Sequence, residues 1–415
     1  MNKSRRNFIL STAAAVTAVF GFASARQLVN IKVSPTATAR LGINLAGIVD
    51  WSTEFPFVDL FKQSRAWFVE GKELANSGLQ IDAEGWVSQL PLGMVASTII
   101  SSLDNGHFPS GDYVILYEGE GEIKVPNYPY QSAKVDKSAN TGCLLVNVNG
   151  QKGAFRLDII KTNPHNYIKN IRVIPKQFEA TYQQNPWSPD FLSRWQGVAC
   201  IRFMDFMTTN NSPQVHWHDR PQPKDASYVS KGVPLELMID LANRLNTEPW
   251  FCMPHQADDD YIKQFASTVK ANLNPHLRAW VEYSNEVWNG GFEQNAYAAK
   301  QGQRLKLAQQ PWEAACKYTA YRAVQIFNIW QQVYGDSIHF VRVLAAQAAY
   351  SGVAEQILSF EQAALQADVL AIAPYINFSV SPNADDGMTD KVVANWGLDK
   401  LFDNLSKVIL PMCVQ

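Results

Sequence analysis

From residue 198 onward, short apolar runs alternate with stretches of helical period. The runs lie at 198–204, 249–255, 277–283, 339–344 and 368–374, and one at 41–47 makes a sixth. Helical periodicity fills 57–67, 191–196, 234–245, 261–273, 292–305, 312–334, 353–365 and 398–410. Few folds accommodate this alternation, because parallel strands need a crossover between neighbours and a helix is the usual crossover. The runs look apolar throughout and end in polar groups: Asn44, Arg202, His255, Asn285 with Glu286, Gln347 and Tyr375. That is the layout of a (β/α)8 TIM-type barrel, whose site sits at the C-terminal mouth of the strands. Six strands do not close an eight-stranded barrel, so the expected barrel is C-terminally incomplete. An open doubly wound sheet would carry a Gly-rich phosphate turn after its first strand, and Gly42–Gly47 does not fit one.

Residues 81–176 have another texture. They are rich in Gly, Asn, Thr and Val, with alternating runs at 113–117, 142–148, 154–160 and 167–174. Asn105-Gly106, Asn149-Gly150 and Asn163-Pro164 mark turns between them. This spacing predicts an inserted β-sandwich-like module at 81–176, with the barrel formed by 26–80 and 177–415.

The first 25 residues predict export. Ser4-Arg5-Arg6-Asn7-Phe8-Ile9-Leu10 has the twin-arginine pattern, an apolar run follows to Phe22, and Ala23-Ser24-Ala25 offers a small-x-small cleavage site. The run is shorter than the roughly 20 residues that span a bilayer, so a stable membrane span is not expected. The expected destination is the periplasm or beyond. A net charge of −2 gives no basic surface for nucleic acid. Five cysteines without a C-x-x-C spacing suggest neither a full set of disulfides nor a metal cluster.

The run at 277–283 opens onto an amide, a carboxylate and an indole: Asn285, Glu286 and Trp288. A carboxylate at the mouth of a buried strand is costly unless it is paired or used. Glu286 could protonate a leaving oxygen, Asn285 could bind a sugar hydroxyl, and Trp288 offers a flat apolar face. Regular strand geometry puts Glu282, Ser284 and Glu286 on one side, so Asn285 and Glu286 reach one cavity only if the strand ends or bulges. Glu282 reads as a structural acid paired to Arg202 or a hydroxyl. Trp51 and Trp217 lie in loops where they could flank a sugar.

With Arg202, His255, Asn285-Glu286 and Tyr375 on successive strands, the chain resembles the clan-A glycoside hydrolases. The resemblance covers about residues 38–67 and 188–411 and leaves the inserted module outside the clan pattern. It implies that Glu286 is the general acid/base and that Asn285 contacts the hydroxyl beside the reacting carbon. It also implies that Arg202 orients the nucleophile and Tyr375 contacts it, with His255 a looser match. The expected reaction is retaining hydrolysis of a β-linked oligo- or polysaccharide, without metal or organic cofactor. The clan's nucleophile is a Glu ending the seventh strand. No such strand follows Tyr375 here, and little or no hydrolysis is expected if Gln415 is the true end.

Two other readings stand beside it. One is a non-catalytic carbohydrate-binding protein. The other is a metal-dependent barrel hydrolase built on His216-Trp217-His218-Asp219 with His255, although Pro213, Pro221 and Pro223 place that pair in a loop. Asp258-Asp259-Asp260 reads as the cap and first turn of a helix.

Overall fold

The computed structural model describes residues 41–103, 105–126, 133–136, 142–336 and 338–373, with scattered positions from 392 to 403. The expected export segment 1–25, Tyr375 and most of the expected helix at 398–410 lie outside the described residues. The chain forms two compact units, residues 1–285 with 325–341 and residues 286–324 with 342–415.

The first unit begins with β1 (Gly42–Asn44). Helical spacing at 57–67 yields only a short 3-10 turn, Leu60–Gln63, capped by Asp59. Beyond it the backbone pairs elsewhere: Arg65 N donates to the Ile99 carbonyl at 2.9 Å, and Phe68 and Ser97 exchange two hydrogen bonds. A strand edge that needs a partner overrides helix propensity here.

The β-rich region supplies β2 (Gln80–Ile81), β3 (Val87–Gln89), β4 (Ala96–Ser101), β5 (Gly111–Glu118), β6 (Gly121–Lys124), β7 (Ala133–Asp136), β8 (Cys143–Val148), β9 (Phe155–Thr162) and β10 (Lys169–Pro175). Two antiparallel sheets, β10-β5-β8-β7 and β4-β9-β6, are joined by a β2-β3 ribbon. Alternation sends Tyr113, Ile115, Val146, Ile171 and Val173 of one sheet and Ala96, Ile100, Ile123, Leu157 and Ile159 of the other into one core. That core also takes in Phe61, Trp67 and Trp86, so it reaches back into the segment before residue 81. Opposite Tyr117, β10 carries a bulge: Lys169 pairs with Glu118 and Arg172 with Leu116, leaving two residues facing one.

After α1 (Pro189–Arg194), the first unit continues as β11 (Cys200–Arg202), α2 (Leu235–Leu245), β12 (Glu248–Met253), α3 (Asp259–Asn272) and β13 (Ala279–Tyr283). In the second unit come α4 (Glu293–Arg304), most of α5 (Pro311–Tyr334), β14 (Phe340–Gln347), α6 (Ser351–Ser359) and β15 (Val369–Ala373). The last turns of α5, from Gln325, and the first two residues of β14 belong to the first unit. Asp258 caps α3, accepting from Tyr261 N at 2.7 Å, as its position in the sequence suggests.

All six expected parallel strands form, in the order β1-β11-β12-β13-β14-β15. They make a half-barrel sheet. No closed (β/α)8 barrel is present among the described residues, which corrects that expectation. Hydrophobic periodicity identifies each strand and its neighbour, but closure requires the first strand to pair with the last, which local pattern does not encode.

The strands are also not apolar on both faces. Ile201, Phe203, Phe251 and Val281 are fully buried on one face, where Phe251 meets Phe265 of α3 edge-on at 5.1 Å. Burying each such side chain contributes roughly 1.5–3 kcal/mol, which makes this the face that holds the helices. The opposite face carries Arg202, Glu248, Trp250, Arg278, Trp280 and Glu282. Arg202 lies in register with Trp250, and Trp250 with Trp280. The two indoles stack with centroids 5.3 Å apart, and Arg278 and the Trp280 indole N–H both donate to Glu248.

Candidate active site

Parallel register assembles a polar cluster at the C-terminal ends of β1, β11, β12 and β13. Asn44, Arg202 and Trp250 align across three strands, and Cys252 aligns with Glu282 one pleat further on. Arg202 therefore reaches Glu282 diagonally. Its Nε and Nη2 donate to Glu282 Oε2 at 3.1 and 2.8 Å. The same oxygen accepts from the Trp250 indole N–H at 2.9 Å and from the Cys252 thiol at 3.4 Å. Glu282 is thus the structural acid that the sequence suggests, 2% exposed and paired with Arg202.

Electrostatics fix these roles. Burial works against the Arg202 charge, but the Glu282 carboxylate beside it more than offsets that and holds the guanidinium above its ordinary range. Burial pushes the Cys252 thiol well up, which keeps it a hydrogen donor toward Glu282. Arg202 also lies over the Trp250 ring, 5.3 Å from its centroid.

Asn285 is locked into the same cluster. Its Oδ1 accepts from Arg202 Nη2 at 3.0 Å, and its Nδ2 donates to Asn210 Oδ1 at 3.0 Å. Asn44 completes the group, donating to Asp205 Oδ2 at 2.8 Å. Sequence patterning does not single out Asp205, Asn210 or Trp250. For Trp250 the signal was its register with Arg202. The two loop residues carry no periodic signal.

The strand stops at Tyr283. Ser284 and Glu286 then adopt left-handed backbone, with φ of 57° and 42°. Non-glycine residues held there cost of order 1–3 kcal/mol each and persist where the surroundings over-determine them, often at functional sites. These two residues supply the strand end that an Asn-Glu pair requires.

Glu286 and Trp288 belong to the second unit. Glu286 is half-buried, and its Oε2 accepts from Asn289 Nδ2 at 3.0 Å, while Asn289 N donates to the Glu286 carbonyl at 2.8 Å. Trp288 is also half-buried.

His255 follows β12 and is 2% exposed, and its backbone carbonyl accepts from the Tyr283 hydroxyl at 3.1 Å. Burial pushes its imidazole down to about 4, so the ring is neutral at pH 7. Trp51 is exposed, with Arg65 over its ring, while Trp217 packs edge-on against Tyr261 beneath Arg220.

The His216–His218 pair is otherwise engaged. His216 Nδ1 pairs with Asp258 Oδ2 at 2.6 Å, and Asp219 accepts from the backbone N–H groups of Val215 and His216. Asp219 is held below its usual range chiefly by that bond from His216 N. Among the described residues, no three His, Cys, Asp or Glu side chains come together as a metal site. No helix among them is long and apolar enough to cross a membrane.

No family model, no curated protein and no solved structure matches the chain.

Proposed function

We propose that this chain is an exported protein of the clan-A glycoside hydrolase kind, acting on a β-linked oligo- or polysaccharide with Glu286 as acid/base. The observation that carries the reading is the fixing of Asn285. Arg202 and Asn210 hold its amide at a strand end, between two left-handed residues, and the next side chain is a carboxylate. A general acid needs that kind of preorganisation. In this reading Asn285 holds the hydroxyl beside the reacting carbon. Arg202 keeps the amide oriented, and Glu286 protonates the leaving oxygen and then activates water.

A retaining mechanism uses a second carboxylate about 5–5.5 Å from the first. Glu282 is not it in this reading, because one of its oxygens already accepts from Arg202, Trp250 and Cys252. The export assignment rests on residues 4–25.

The test is hydrolysis of a panel of aryl β-glycosides by the full chain. Glu286→Ala should lower kcat/KM by about 10²–10⁴-fold, the span of general acid/base catalysis. Undiminished hydrolysis by Glu286→Ala refutes the assignment.

A second reading, a non-catalytic glycan-binding protein, is favoured by one specific observation. The stacked Trp250–Trp280 pair is half-buried on a polar sheet face, the kind of surface on which sugars pack. Glycan binding by the wild-type chain without turnover on any member of the panel would support it over hydrolysis.

A further inference from the structure

A cavity lies where the β-rich region meets the rest of the first unit, away from the Arg202 cluster. It measures about 580 Å³ and draws its walls from β5, β10 and the segments near Phe57, Tyr182 and Tyr228. That volume falls within the roughly 300–1,000 Å³ typical of small-molecule sites.

Its floor is ionic and self-contained. Asp59 Oδ1 accepts from Phe61 N at 3.1 Å and Val173 N at 2.9 Å. Asp59 Oδ2 lies 3.3 Å from Arg172 Nε, an ion pair not aligned as a hydrogen bond. Lys62 Nζ donates to the Asp225 and Pro223 carbonyls and sits 4.8 Å from the centre of the Tyr228 ring. Two cations and two carboxylates, Glu118 included, leave the walls neutral. An anion therefore meets no uncommitted positive charge, and a wholly apolar ligand would strip water from charged groups for no return.

The rim is shaped for hydrogen bonding. The β10 bulge places Asn170 in left-handed backbone, φ 51°, where its amide donates to Glu118 Oε2 at 3.0 Å. Bulges next to sites re-aim side chains in this way. Asn170, Glu118 and Arg172 line the cavity together with Tyr182. An amide, a carboxylate and a guanidinium beside a tyrosine, with no net charge, suit a neutral polyhydroxylated ring.

We propose that this cavity is an auxiliary saccharide-binding site, with Tyr182 supplying an apolar face and Asn170, Glu118 and Arg172 supplying hydrogen bonds. The site goes beyond the Glu286 reading and does not depend on it.

The test is calorimetric titration of the full chain with cellobiose, xylobiose, maltose and, separately, sodium phosphate. Two variants avoid the buried ion pair. Asn170→Gly suits the left-handed backbone, and Tyr182→Ala trims a half-buried loop side chain. At least one disaccharide should bind, and each variant should weaken it about tenfold, the equivalent of about 1.4 kcal/mol, with an unchanged unfolding midpoint. Glu286→Gln should leave this binding intact. Saccharide binding unaffected by both cavity variants overturns the proposal, as does binding of phosphate alone or of none of the probes. Loss of aryl-glycoside turnover in Glu286→Ala, with cavity binding preserved, separates the two sites.

Discussion

The Arg202–Glu282 pair sets up a sharp expectation. Replacing Arg202 with Met keeps an unbranched apolar stem but removes the charge. Glu282, 2% exposed, then keeps only the Trp250 indole and the Cys252 thiol. Breaking one side of a buried pair costs about 3–5 kcal/mol. The variant has one escape, which is to fold with that carboxyl protonated. Putting a proton on a carboxyl of ordinary unfolded-state acidity, about 4.3, costs about 3.7 kcal/mol at pH 7, at about 1.36 kcal/mol per pH unit. The escape therefore caps the loss near 4 kcal/mol at pH 7. It also gives the loss a pH signature. The folded variant would bind a proton that its unfolded chain releases, so its deficit grows with pH and shrinks to about 1 kcal/mol near pH 5. Urea unfolding of both proteins at pH 5, 6 and 7, followed by tryptophan fluorescence, reads this directly. Arg202→Met with Glu282→Gln should recover most of the loss, since no buried charge remains. A deficit under about 0.5 kcal/mol at pH 7, or one that does not change with pH, would show that Glu282 does not depend on Arg202 to stay charged in the folded protein.

Two further outcomes follow from other parts of the molecule. Because burial holds His255 near 4 against an ordinary 6.5, the folded state refuses a proton that the unfolded chain accepts; stability should fall as pH drops from about 6.5 to about 4, by up to about 3 kcal/mol, and His255→Phe should flatten that limb in pH-dependent urea unfolding. Gly302 of α4 sits where a Cβ would overlap the backbone carbonyl of Ala314 in α5; Gly302→Ala gains up to about 1 kcal/mol of helix propensity but should lose more to the clash, lowering the unfolding midpoint by a net of about 1–2 kcal/mol, and a stabilised variant would contradict the close approach.

What was legible in the sequence follows the range of the interactions involved. Each of the six strands announces itself by a short apolar run, and the Asp258 cap by its place before a helical period, because both depend on a few neighbouring residues. The Glu282–Arg202 pair was legible because an acid within a strand needs a cation, and Arg202 ends a run two strands away in the same pattern. The two-faced character of the strands was harder to see. Trp250 and Trp280 count as hydrophobic in any run, yet they lie with Arg202 on the polar face. A tryptophan supplies an apolar body and a donor at once, so composition alone cannot say which face it takes. The stretch at 57–67 shows the same limit from the other side. Its helical period is real, but the β4 edge, more than 25 residues away in sequence, claims its backbone.

Barrel closure and site assembly lie furthest from the sequence, and they bear on function together. A half-barrel leaves its polar face to be held by its own contacts, and the cluster around Arg202 does this within β11, β12, β13 and the loop carrying Asn210. Apart from the Asn44–Asp205 bond, its bonds converge on Glu282 and Asn285. The Glu282 half holds Arg202 in place. Arg202 Nη2 also donates to Asn285, the residue immediately before the left-handed Glu286. On the proposed reading, a change at Glu282 should act on glycan chemistry through Arg202 and Asn285, two residues removed from the substrate. If Glu286 is the acid/base, Glu282→Gln should lower kcat more than it raises KM, while Asn285→Ala should raise KM as well, because it deletes the sugar contact itself. Identical kinetic effects from the two substitutions would break this chain of positioning, and would place Glu282 in the chemistry itself.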